Sequence, residues 1–376
     1  MAARWDGLRG GESRQDMPST MYREPVVSIV IAARDDAATI RRALESIQNQ
    51  TLRSHETIVV DDGSTDGTPG IVDNMAQRDL TISLVQADGC GLAAALDLGM
   101  SRACGRYLVL FDASGWANPD MLADLVNIAE ESSLELAIAG FSASVLGDGR
   151  RQETVEANQA AYVFPTQHDF RAGAWQLFED NLLTSPCAKL FLRSRVERLG
   201  LSFADGNGNS ADDLSFIAGY VRDVERVGLT GNVRYHVECR SPQRLPGFSV
   251  RDYRALERQY GTLVGVYHHW GLDGDPTSMG LIQNRYFECL VDCVASVFSD
   301  RSGLSATERR RLVGEMVSSD RARLAADVAR PRGMGAKAMQ GPIRSGNAGL
   351  AYTEGFLASF MKRGGERGLG PFCTSL

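Results

Sequence analysis

Lysine is nearly missing from this 376-residue chain: Lys189, Lys337 and Lys362 stand against 37 arginines. GC-rich codon usage or a need for arginine forks would each produce that bias. An excess of positive charge is also lacking. The formal net charge is −7, which excludes wholesale coating of nucleic acid, so no nucleic-acid partner is expected. No apolar stretch reaches the length of a membrane span. The N-terminal MAARWDGLRGGESRQDMPSTMYREP has no apolar signal core; it is polar and Gly-rich, and residues 1–24 are expected to be a disordered lead-in. A cytoplasmic location is the resulting expectation. The seven cysteines are odd in number in a long chain, which argues against a disulfide scaffold. Cys289 and Cys293 lie four apart in an apolar helical pattern with no zinc-spaced histidine pair, and read as buried small hydrophobes.

What is present is an ordinary globular composition, 43% hydrophobic and 23% charged, with length for a sizeable core and two or three domains. From Pro25 onward, apolar runs alternate with helical periodicity. VVSIVIAAR, HETIVVDDGS, TISLVQA, RYLVLFDA and ELAIAGFSASV read as strands. ATIRRALESIQNQ places Ile40, Ala43, Leu44 and Ile47 on one helical face. TPGIVDNMAQRD, GLAAALDLGMSRAC and NPDMLADLVNIAEES read as helices, the last with Asn118 as N-cap and Pro119 at its first position. Such alternation means βαβ units and a mainly parallel sheet. After Gly147, DGRRQETVEANQAAYVFPTQ reads as a surface excursion, and the compact pattern resumes at SPCAKLFLRSRVERLGLSF. From about Phe248 the signal is helical. SVRDYRALERQYGTLVGVYHHW, MGLIQNRYFECLVDCVASVF and SATERRRLVGEMV are helices, the third opening on a Ser305/Glu308 capping box. ARPRGMGAKAMQGPIRSGNAG reads as linker or loop, and YTEGFLASFMKR as a last helix.

In an open α/β sheet, ligands bind beyond the carboxyl ends of the strands. Three of those ends are acidic: Arg34-Asp35-Asp36, Asp61-Asp62 and Asp112. Turn chemistry accounts for part of VVDDGSTDGT. It does not account for three acidic ends on one edge, where carboxylates can bind a base and ribose or hold a divalent cation.

VSIVIAARDDAATIRRALESIQNQT, HETIVVDDGSTDGT and CGLAAALDLGMSRACGRYLVLFDASGWANPDML resemble the nucleotide-binding half of family-2 glycosyltransferases of the GT-A fold. SPCAKLFLRSRVERLGLSF, followed by DDLSF, resembles the acceptor half of bacterial polysaccharide members. The resemblance implies an α/β fold: a Rossmann-like, mainly parallel sheet flanked by helices, with a helical C-terminal extension. It divides the chain into a domain at 25–245, with a nucleotide-binding half at 25–145 and an acceptor half at 146–245, and a helical region at 246–376. It implies a nucleotide-sugar donor and a glycan or lipid-linked acceptor. Ala32, Arg34, Asp35, Asp61, Asp62, Gly91, Asp112 and Ser114 would bind the nucleotide sugar. Asp213 matches the catalytic base and Asp212 the acidic residue before it, while Trp116 and Lys189 would shape the acceptor side. For Trp116, packing under the sheet edge is an equal reading. The implied chemistry is direct displacement with inversion, the base taking a proton from the acceptor hydroxyl.

The departures from the family pattern gather in the site. The D-x-D element reads DAS, with Ser114 where a metal-binding carboxylate is expected and Gly115 where a further aspartate is usual. Asp112 alone remains as a candidate metal ligand, so Mg2+ or Mn2+ would be weakly held or dispensable. The first loop has Ala32, Arg34 and Asp35 in place of Pro, an aromatic and Asn, and Leu96-Asp97 replaces an Arg-Asn pair. Arg34 could stack on a base, pair with phosphate or point into solvent. Arg240 and Arg244 are candidate replacements for lost positive charge, or solvated side chains. Two functions follow: an active inverting transferase with weak or no metal dependence, or a non-catalytic relative kept for binding or scaffolding. A nucleotidyltransferase is disfavoured because AARDDAAT is no Gly- and Lys-rich phosphate loop. Arg321, Arg323, Arg330, Arg332, Lys337 and Arg344 form either a solvated face or a contact for anionic lipid, and the oligomeric state is open.

Overall fold

The computed structural model describes residues 24–147, 150–204, 213–240, 248–299, 302–331 and 333–363. The expected lead-in (but for Glu24), Asp212, Arg244 and Arg332 therefore lie outside the described residues.

The first half alternates as its periodicity predicts: β1 (Val27–Ala33), α1 (Ile40–Gln48), β2 (His55–Asp62), α2 (Thr68–Ala76), β3 (Ile82–Ala87), α3 (Leu92–Arg102) and β4 (Tyr107–Leu110). The α1 stripe of Ile40, Ala43, Leu44 and Ile47 is the face it buries. A two-residue strand β5 (Trp116–Ala117) precedes α4 (Met121–Glu131). That helix starts later than expected: Asp120 is its N-cap, and Asn118 and Pro119 belong to the turn before it. The order continues with β6 (Leu136–Gly147), β7 (Arg150–Ala157), β8 (Tyr162–Val163), α5 (Gln167–Glu179), β9 (Lys189–Leu192), α6 (Arg193–Leu199), α7 (Asp213–Val221) and β10 (Val227–Arg240). The expected surface excursion after Gly147 is in fact β7, antiparallel to β6 and part of the sheet.

The sheet runs β3-β2-β1-β4-β9-β6-β10-β5, with β7 on β6 and β8 on β10. From β3 to β4 every pairing is parallel, as expected for βαβ units. The second half is mixed, because β9 inserts antiparallel between β4 and β6. The carboxyl ends of β1, β2 and β4 lie together, with Ala33 beside Asp61 and Val30 beside Leu110.

The remainder is helical: α8 (Val250–His269), α9 (Pro276–Ser296), α10 (Ala306–Val317), α11 (Asp320–Val328), α12 (Met334–Arg344) and α13 (Ala348–Arg363). The Ser305/Glu308 capping box forms. The stretch expected to be loop contains α12, which carries Pro342 in its last turn and buries Met339 and Ile343 one turn apart. Cys289 and Cys293 are buried on α9. Trp270 Nε1 donates to the Arg222 carbonyl at 2.8 Å, and His269 pairs with Asp223 at 2.7 Å, fastening the helices to the sheet domain. Arg321, Arg323, Arg330, Lys337 and Arg344 are exposed, with Arg321 paired to Glu257. No helix among the described residues is long and apolar enough to cross a membrane.

Candidate active site

Two loops at the sheet edge are laced together. Asp35, at φ +56°, accepts through Oδ1 from the Thr65 N–H at 2.7 Å, and its own N–H donates to Ser64 Oγ at 3.0 Å. The Asp36 N–H donates to Thr68 Oγ1 at 2.8 Å, and the Ala37 N–H to Asp66 Oδ2 at 3.0 Å. The hydrogen bond from Thr68 holds the Asp66 carboxyl below its ordinary range. Asp35 is thus a clamp between the first and second strand ends, and Ala32 sits half-buried in β1 beneath it.

Asp61 and Asp62 end β2 and are buried. Both oxygens of Asp62 accept from the Gly91 N–H at 3.1 Å, and Arg34 lies 3.5 Å from Oδ2 with about half its side chain exposed. Gly91 has φ +93°, which only glycine adopts without strain, and it leads into α3 with no side-chain cap on that helix. Asp61 Oδ2 accepts from the Ser64 N–H at 3.2 Å, but Oδ1 is buried with no hydrogen-bond partner among the described residues.

The FDASGW stretch is a closed turn. Asp112 Oδ1 accepts from Ser114 N at 2.6 Å and Ser114 Oγ at 2.5 Å. The Asp112 N–H donates to the Tyr235 hydroxyl at 3.0 Å, and Tyr235 presses so close that a Cβ on Gly115 would sit 2.1 Å from its oxygen. Arg42 donates to the Ser114 carbonyl at 2.9 Å and to Glu238 at 2.7 Å, and lies 4.0 Å over the Trp116 ring. The His236 ring is nearly parallel to Trp116 at 5.3 Å. Trp116 is therefore already engaged in packing. Asp36 is drawn in as well: burial, with Asp112 among the neighbouring charges, raises its carboxyl above the ordinary value.

Asp213 opens α7, and Lys189 opens β9. Lys189 was expected on the acceptor side, but it is only 1% exposed, with Nζ donating to the Cys187 carbonyl at 3.1 Å. The Cys187 thiol is pushed up to about 12 by burial, with the charges of Asp112 and Asp213 adding to the rise. Asp97, standing where the family pattern has an Arg-Asn pair, holds the segment 202–204 that precedes α7 in the chain. Its carboxylate accepts from Phe203 N at 2.7 Å, Ala204 N at 2.8 Å and Ser202 Oγ at 2.6 Å.

The Asp112–Ser114 turn offers a divalent cation a single carboxylate. A hard cation takes several anionic oxygens. Here Ser114 turns both its donors onto Asp112 Oδ1, and no three His, Cys, Asp or Glu side chains converge as a metal site among the described residues.

The family model described as "Glycosyl transferase family 2" matches residues 28–200, the span that builds this edge. Residues 28–200 are a family-2 glycosyltransferase domain. The Bacillus subtilis protein named "Putative glycosyltransferase EpsH" is 30% identical over 179 residues, covering 48% of this chain and 50% of that one, so the chain matches about half that relative's length. The uncharacterized glycosyltransferase EpsJ of the same organism is 27% identical over 252 residues, covering 66% of this chain and 72% of its own. The crystal structure of S. aureus TarS 1–349 in complex with UDP superimposes with a TM-score of 0.61 at 14% identity, over 92% of this chain and 94% of that one. At that identity the likeness shows the fold: a central sheet flanked by helices with a helical C-terminal region, of the GT-A type.

Sequence reasoning about this edge missed Arg42, Tyr235 and Cys187, and gave Asp36 no role of its own. Arg42 lies off the apolar stripe of α1 and so reads as solvated. Asp36 belonged to the acidic run already singled out, and its own role could have been asked. Tyr235 and Cys187 carry no local signal.

Proposed function

We propose that this chain is an inverting glycosyltransferase that moves a sugar from a nucleoside-diphosphate donor to a hydroxyl of a surface glycan or lipid-linked acceptor. The observation that carries the reading is Asp61 Oδ1, a buried carboxylate oxygen at the sheet's ligand edge without a partner among the described residues. Leaving such an acceptor unpaired costs about 1–3 kcal/mol or more, a deficit that a bound donor group removes. The imide N–H of a uracil ring is a suitable donor, whereas an acceptor-only edge would be repelled. TarS has been crystallised with UDP and with UDP-GlcNAc, which supports this choice of base.

The rest of the edge suits a diphosphate. The uncapped N-terminus of α3 offers backbone N–H groups to an anion, and Arg34 stands beside it. Asp213 would take the proton of the acceptor hydroxyl as its oxygen bonds to the anomeric carbon. The bond from that carbon to the diphosphate breaks, and its electron pair leaves with the nucleoside diphosphate. No step is assigned to a metal.

The second reading, a binding protein without turnover, draws on the closed Asp112–Ser114 turn. One experiment separates the two. Melting curves are recorded with UDP, GDP, CDP and ADP, with and without Mn2+, for the wild type and Asp61→Ala. UDP at about 100 times its dissociation constant should stabilise the protein by about 2.7 kcal/mol, and Asp61→Ala should abolish the effect. UDP release from UDP-sugars, lost in Asp213→Asn while UDP still binds, is expected of an enzyme. Binding without any release favours the second reading, and no response to any nucleotide refutes both.

A further inference from the structure

We infer that the outward faces of α11, α12 and α13 form a docking surface for an anionic lipid bilayer, met as a peripheral contact. The inference stands on the helical region and does not depend on the transfer chemistry. Eleven large apolar side chains are exposed among the described residues, and six of them lie between Leu324 and Leu357. On each helix they stand opposite the packed face. In α11, Leu324 and Val328 are four apart, while Ala322, Ala325 and Ala326 are buried. In α12, Met334 is 72% exposed and shares its stripe with Lys337 and Arg344, while Met339 and Ile343 face inward. In α13, Leu350 and Leu357 are seven apart, and Ala351 and Ala358 are buried. The helices adjoin one another. Gln340 Nε2 donates to the Ala326 carbonyl at 2.9 Å and the Ala329 carbonyl at 2.7 Å, tying α12 to α11, and α12 packs on α13. The Arg323 guanidinium reaches the turn between α12 and α13, where a Cβ on Gly346 would sit 3.1 Å from it. Arg323 and Arg344 thus flank one turn.

Charge selects what covers this surface. Residues 321–357 carry six basic and two acidic side chains in a chain of net charge −7. Arg321 is paired with Glu257, but Arg323, Arg330, Lys337 and Arg344 have no ion pair among the described residues. A second copy seated on the same face would set these cations against one another. A nucleic acid would answer the charge and leave the leucines and Met334 unanswered. An anionic bilayer answers both: apolar side chains enter the acyl boundary while arginine and lysine heads stay at the phosphates. Each basic side chain close to such a surface is worth about fivefold in partitioning.

The test is flotation of the full chain with two kinds of vesicle: phosphatidylcholine alone, and equal parts phosphatidylcholine and phosphatidylglycerol. The chain should float with the mixed vesicles at low ionic strength, bind pure phosphatidylcholine far less, and be released by salt as the surface charge is screened. Lys337→Gln with Arg344→Gln should weaken binding to the mixed vesicles about 25-fold. Met334→Ser with Leu350→Ser should weaken it at least about fivefold at every ionic strength. All four side chains are exposed, so both double variants should melt with the wild type. Equal flotation with the two kinds of vesicle overturns the inference. So does binding to mixed vesicles that either pair of substitutions leaves unchanged. Failure to float at low salt overturns it outright, leaving an acidic protein or solvent as what faces these helices. The UDP melting shift is read separately, so the transferase reading and this one can fail independently.

Discussion

Replacing Gly115 by alanine sets a methyl group where Tyr235 already stands. The new Cβ would lie 2.1 Å from the tyrosine oxygen and 2.6 Å from Cζ, against an ordinary carbon contact of about 3.5 Å. Something must open by about 1 Å or more. Tyr235 has no free direction: it is fully buried and meets Phe111 edge-on, with ring centres 5.0 Å apart. Overpacking of this kind costs typically about 1–3 kcal/mol. If the hydroxyl is pushed off the Asp112 N–H, the unpaired donor adds about 1–3 kcal/mol. Gly115→Ala should therefore lose roughly 2–6 kcal/mol in urea unfolding. It should also blunt the response to UDP, because Asp112 moves with its loop. Tyr235→Phe removes the atom in worst conflict, so the alanine should be less damaging in that background, with a coupling of at least about 1 kcal/mol. Gly115→Ala within about 0.5 kcal/mol of wild type, or an equal cost in both backgrounds, would refute the reasoning.

Asp97→Ala should release the 202–204 segment. Its three donors meet a half-exposed carboxylate, so a loss of about 1.5–3 kcal/mol in urea unfolding is expected, with Asp97→Asn intermediate; an effect under about 0.5 kcal/mol would count against the anchor. Asp36 predicts a pH dependence. Its folded-state pKa is raised above 3.8, so the folded protein keeps this proton to higher pH than the unfolded chain does, and stability falls as pH rises through the raised value. Asp36→Asn should therefore melt higher than wild type at neutral pH, with the gap closing as pH drops below 3.8, and a constant gap would show that the charge is not the cause.

The parallel half of the fold was legible because each βαβ unit writes its own period. The Ile40, Ala43, Leu44, Ile47 stripe and the apolar run of β1 are local facts, and right-handed crossovers leave little freedom in joining them. The second half obeys no such rule. β9 is four residues long, and nothing in KLFL says that it enters antiparallel between β4 and β6. Likewise α12 was hidden by its composition, since Gly335, Gly341 and Pro342 read as breakers. It holds because Met339 and Ile343 are buried against neighbouring helices, a tertiary gain that outweighs weak local propensity.

The candidate site was legible as a set of positions, and its departures from the family pattern were legible only as losses. The structure gives Ser114, Gly115 and Asp97 each a neighbour that accounts for it. Ser114 closes onto Asp112, and its carbonyl is held by Arg42 from α1. Gly115 is small because Tyr235 fills the space that an aspartate would need. Asp97 carries three hydrogen bonds from the segment leading toward Asp213. Residues drifting without constraint acquire partners piecemeal. Here Ser114 and Gly115 of one loop meet Arg42 of α1 and Tyr235 of β10, three places distant in sequence, and removing any one strands another. That mutual dependence supports a site rebuilt to work with neutral and cationic groups over one left to decay. It also locates the decision: if Gly115→Ala and Tyr235→Phe prove uncoupled, the loop is a collection of independent losses, and the case for a rebuilt site loses its structural support.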